Sequence, residues 1–130
     1  MADRIALLDS SVLIDYFRKT RKETSFFATL ADQYDTFAVS VITQFEVYVG
    51  SKSAHYPFWD SLFAMFTIVP LDSSIINEAL RINEQLKRGN RQIAFPDLLI
   101  AATAQAYNVP MATLNVKHFD RVAGLTLIHA

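Results

Sequence analysis

A short, unbroken apolar run near the start of the chain, Ile5-Ala6-Leu7-Leu8, stops abruptly at Asp9. Consecutive apolar residues leave no face for water, so a strand of this kind is buried on both sides, as in a parallel sheet. The unit recurs. Residues 37–39, 67–69, 111–114 and 126–128 read as further short strands, with Pro70 stopping the third. Segments of helical character lie between them. Ser10 and Ser11 offer N-cap chemistry to a helix over 12–17, and 23–32 reads as a second helix with Phe26, Phe27 and Leu30 inward. Ser40 caps a third helix, which Gly50 closes in a left-handed turn. Further helices are predicted over 56–65, over 73–88 and from Pro96, at the first helical position, to about residue 107. Strands alternating with helices predict an α/β fold with a central, mainly parallel sheet of four or five strands.

Size and composition narrow this further. The 130 residues make one domain, 1–130. Hydrophobic residues are 52% and charged residues 19%, which excludes intrinsic disorder. Lys and Arg number 12 against 13 Asp and Glu, so nucleic-acid binding requires a local basic patch. The chain has no cysteine, which excludes disulfides, thiolate nucleophiles and Cys-ligated zinc. No stretch has the length of a signal peptide's apolar core or of a membrane span, so a cytoplasmic location is expected.

In open parallel sheets, sites form at the carboxyl ends of the strands. Asp9 follows the first strand and Asn115 the fourth; Glu46 lies on the helix after the second, and Asp97 in the first turn after Pro96. Each has an ordinary explanation as a cap, a dipole partner or a surface group. Their settings argue otherwise. The helix after Asp97 is apolar nearly all round, and Glu46 stands at the margin of an apolar stripe, away from Thr43 and Gln44. Three carboxylates within about 5 Å would repel by roughly 3 kcal/mol per pair at an effective dielectric of 20. A hard divalent cation, Mg²⁺ or Mn²⁺, is the natural counterion for such an all-oxygen set. Its chemistry, acidifying water and offsetting charge on a leaving oxygen, suits phosphodiester hydrolysis.

Three blocks then carry a resemblance: LLDSSVLIDYF, SVITQFEVYVG and FPDLLIAATAQAYNVPMATLNVKHFDRVAGL. Together they resemble a PIN domain, and within that family the VapC-type ribonuclease toxins of toxin–antitoxin pairs. The resemblance implies a three-layer α/β/α sandwich and Mg²⁺- or Mn²⁺-dependent endoribonuclease activity. It further implies a homodimer held inactive by a cognate antitoxin. It places Asp9, Glu46 and Asp97 at the family's acidic metal-binding positions. Where the family often has a fourth acid, this chain has Asn115, with His118 three residues on. Either is a candidate for a second metal or for support of the first, as is the Ser11 hydroxyl. Asp120 reads as solvated, Thr113 as a lesser supporting hydroxyl and Asp15 as exposed.

Two basic clusters, Arg18, Lys19, Arg21 and Lys22, then Lys87, Arg88 and Arg91, are candidates for holding RNA phosphates. Each reads equally as a solvated helix end. The aromatic stretch Tyr56, Phe58, Trp59, Phe63 and Phe66 is either core or a surface for a partner. Two other functions remain open from the residues: a non-catalytic RNA-binding module, and a metal-dependent phosphatase using Asp9. The phosphatase reading is weakened by Ser11, which stands where such enzymes usually carry a second acid.

Overall fold

The computed structural model describes residues 3–130. Its strands are β1 (Ile5–Leu8), β2 (Thr36–Ser40), β3 (Thr67–Val69), β4 (Met111–Ala112) and β5 (Leu127–Ile128). They form one sheet in the order β3-β2-β1-β4-β5, parallel at every pairing. The α-helices are α1 (Ser10–Arg18), α2 (Phe26–Ala31), α3 (Val41–Val49), α4 (Tyr56–Phe63), α5 (Ser73–Arg88), α6 (Phe95–Tyr107) and α7 (Val116–Phe119).

Strand alternation divides the core in two. Leu7, Ala38 and Met111 point to one face, where they pack with Ile75, Ile82, Ile100 and Phe119 from α5, α6 and α7. Leu8, Val39 and Ala112 point to the other, against Val12, Leu13, Phe27, Leu30 and Trp59 from α1, α2 and α4. The result is the three-layer α/β/α sandwich. The aromatic stretch is largely core: Trp59 and Phe63 are buried, and Phe58 and Phe66 pack against the same cluster, while Tyr56 stays exposed.

Local details depart from the sequence reading for identifiable reasons. Helix α1 starts at Ser10, with Asp9 in the N-cap position making no side-chain cap bond. Ser10 and Ser11 therefore lie inside the first turn rather than capping it. The second predicted helix splits into a 3-10 turn at Lys22–Thr24 and the shorter α2, because Ser25 Oγ accepts from Ala28 N and starts a new helix. Ser40 caps α3 as predicted, its Oγ accepting from Ile42 N at 3.0 Å. Gly50 is not left-handed (φ −87°, ψ 0°); its value is closeness, since a Cβ there would meet the Glu46 carbonyl at 3.2 Å. Helix α4 ends at Phe63 rather than residue 65, and Phe95 precedes Pro96 in α6, so the proline sits second. No intrahelical bond is lost there, because first-turn N–H groups have no helical acceptor. Strand β4 stops at Ala112 because β5 supplies only two paired residues, and the four-residue α7 is too short to show a period.

Candidate active site

The strand order places a topological switch beside β1. The chain runs from β1 outward to β2 and β3, then crosses to β4 on β1's other side. Loops leaving β1 and β4 diverge there and open a crevice at the carboxyl ends. Asp9 ends β1 in this position, and its N–H donates to the Ala112 carbonyl at 3.0 Å.

Asp9 is 2% exposed, and one oxygen of its carboxylate is held by two hydroxyls. Ser11 Oγ donates to Asp9 Oδ2 at 2.7 Å, and Thr113 Oγ1 donates to the same oxygen at 2.9 Å. Each hydroxyl in turn accepts a backbone N–H: Leu114 N to Ser11 Oγ at 3.0 Å, and Asn115 N to Thr113 Oγ1 at 2.9 Å. Those two N–H groups fix the direction of both hydroxyl protons. The loop after β4 thus clamps the Asp9 carboxylate through two relays.

Glu46 is tied into the same set by Ser10, whose Oγ donates to Glu46 Oε1 at 3.1 Å and lies 3.5 Å from Asp9 Oδ1. Burial pushes the Glu46 carboxyl above its ordinary value; the Ser10 bond opposes this, and the charges of Asp9 and Asp97 add to it. Asp97 is raised too, chiefly by burial and then by the charge of Asp9, with His118 opposing. His118 Nδ1 stands 3.3 Å from Asp97 Oδ2. The three acids therefore share one electrostatic environment. Among the described residues, no lysine or arginine forms an ion pair with any of them. The same residues close no ready-made cage of three metal-ligating side chains.

Several sequence expectations change. Thr113 and Ser10, given little or no role, are the residues that hold Asp9 and join it to Glu46; Thr113's place directly after β4 was the available signal. On α3 the buried line runs through Thr43 and Val47, while Phe45 and Val49 are exposed. Glu46 is therefore not set apart from Thr43 as the spacing suggested, but follows it by three residues on the inward side. Asn115 is exposed at the N-cap of α7, and Asp120 is exposed as expected. Asp15 is not simply solvated: it accepts from Phe26 N at 3.1 Å and pairs with Lys19 at 3.4 Å.

The first basic cluster is largely structural. Lys22 Nζ donates to the carbonyls of Tyr16, Phe17 and Lys19, closing the end of α1, and Arg21 pairs with Glu23. Lys87, Arg88 and Arg91 are exposed and touch none of the acids.

The PIN domain profile matches residues 6–125. Ribonuclease VapC1 of Methanocaldococcus jannaschii is 38% identical over 89% of this chain and 79% of its own length. Ribonuclease VapC10 of Mycobacterium tuberculosis is 32% identical over 87% of this chain and 84% of its own. Among solved structures, VapBC-1 from nontypeable Haemophilus influenzae superposes with a TM-score of 0.83 at 25% identity, covering 96% of this chain and 97% of the other.

Proposed function

The chain belongs to the PIN domain family, and on that premise we propose that it is an endoribonuclease toxin dependent on Mg²⁺ or Mn²⁺ and restrained by a cognate antitoxin. The relatives named ribonucleases support the substrate. A solved neighbour that is a VapBC assembly supports the antitoxin. One observation carries the reading: Asp9, Glu46 and Asp97, from three separate elements, act on one another electrostatically at the switch point, and among the described residues no lysine or arginine pairs with any of them.

That donor set suits a hard divalent cation. It is all oxygen, and two of its carboxylates are raised above their ordinary values, chiefly by burial and further by the neighbouring carboxylates. Asp9, Glu46 and Asp97 would hold the ion, which when bound supplies an acidified water and charge for the leaving oxygen. Ser11 and Thr113 keep Asp9 fixed, and Ser10 holds Glu46 beside it. His118 orients Asp97. In the reaction the water oxygen bonds to phosphorus as the bond from phosphorus to the 3′ oxygen breaks. The water gives up a proton, the 3′ oxygen gains one, and the ends left are a 5′ phosphate and a 3′ hydroxyl. Asn115 has an amide oxygen but no charge, so a second cation there would depend on oxygens from the RNA.

Exposed Ile76, Leu80 and Phe95, along α5 and the start of α6, support a homodimer, which light scattering would measure. The chemical test is cleavage of end-labelled RNA with Mn²⁺ and with chelator. Asp97→Asn is expected to lose at least a hundredfold in rate while staying folded. Mn²⁺ should also raise the thermal midpoint of the wild type and not of the variant. Full metal-dependent cleavage by Asp97→Asn would overturn the assignment.

A further inference from the structure

A crevice rimmed by acids repels the anion it must receive, so a ribonuclease of this design needs a cation held near the acids without being neutralised by them. The first basic cluster contains one such group. Lys19 is tied to Asp15, Arg21 to Glu23, and Lys22 to three carbonyls at the end of α1. Arg18 is exposed and has no ion pair among the described residues. It stands between two recesses. One, about 620 Å³, is bordered by Ser10, Ser11 and Asn115; the other is bordered by Glu46. Lys52 borders only the second. Arg18 is thus the cation common to both sides of the Ser10–Glu46 link.

We infer that Arg18 is a phosphate-binding residue for the substrate, gripping an RNA phosphate next to the one cleaved and so setting which stretch of backbone enters the crevice. The inference rests on the ribonuclease reading. A guanidinium suits the task, because its planar fork meets two phosphate oxygens at once and it never loses its charge. Its place at the last residue of α1, whose C-terminal carbonyls are already served by Lys22, leaves it free for the substrate.

The experiment measures binding of a short fluorescein-labelled single-stranded RNA in the Asp97→Asn background, across a salt series. One lost phosphate contact lowers the slope of log affinity against log salt by about 0.7. Arg18→Gln is expected to show that drop, Arg18→Lys to keep most of the slope, and Arg21→Gln to keep all of it. In the cleaving enzyme, Arg18→Gln should raise KM severalfold with kcat little changed. An unchanged slope in Arg18→Gln, on an RNA that the wild type cleaves, would overturn the Arg18 assignment alone. An equal drop in Arg21→Gln would also overturn it, showing a diffuse field rather than a site. Failure of the wild type to bind or cut any RNA would instead remove the ribonuclease reading beneath it.

Discussion

At the scale of single residues, the clamp on Asp9 is the most consequential feature. A buried carboxylate is tolerated only when its oxygens are satisfied, and here Ser11 and Thr113 supply the bonds. Replacing Thr113 with Val removes one of the two bonds to Asp9 Oδ2 and leaves the Asn115 N–H without its acceptor. We expect a loss of about 1–3 kcal/mol in urea denaturation, with Thr113→Ser recovering most of it. Glu46 and Asp97 work in the opposite direction. Their carboxyls are raised above the ordinary values of 4.5 and 3.8, so the folded chain binds protons more tightly than the unfolded one. Stability from these groups is present at low pH and falls as pH rises through the raised values. Without divalent cations, the stability gain of Glu46→Gln over wild type should grow between those ordinary values and neutrality; parallel urea midpoints across pH would contradict this.

At the scale of elements, helix starts decide where functional side chains stand. Ser40 fixes the first turn of α3 and hence the rotation that brings Glu46 toward Ser10. Ser40→Ala should cost about 0.5–2 kcal/mol in denaturation and lower cleavage more than its stability loss explains. Ser40 was legible because capping chemistry is local. Ser10 was misread, and Ser11 was read both as a cap and as a support for Asp9, for a related reason: the same hydroxyls that cap helices also bind carboxylates, and only Asp9's burial decides which they do here. The breadth of the predicted second helix failed at Ser25, where a local hydroxyl outcompeted helical continuity.

At the scale of the whole molecule, two cores flank one sheet, and the candidate site lies where the strand order reverses. Ile100 is fully buried in the core formed with α5. Ile100→Ala should cost about 2–5 kcal/mol, read as a shift in denaturation midpoint. The exposed Phe95, five residues earlier on the same helix, should tolerate Phe95→Ser within about 0.5 kcal/mol in the monomer.

The strands, the longer helices and the place of Asp9 directly after the first strand were written in the sequence, because burial imposes short apolar runs and helical periods that can be read locally. What the sequence could not decide is which polar groups meet. Ser11 and Thr113 are 102 residues apart in the chain, within 3.5 Å in space and bonded to one carboxylate. Lys22 and Arg18, four positions apart, are divided between capping a helix and facing the crevice. Such pairings follow from the parallel register of β1 with β4 and from the rotation of each helix. Those are properties of long-range packing, to which a local run of residue types carries no reference.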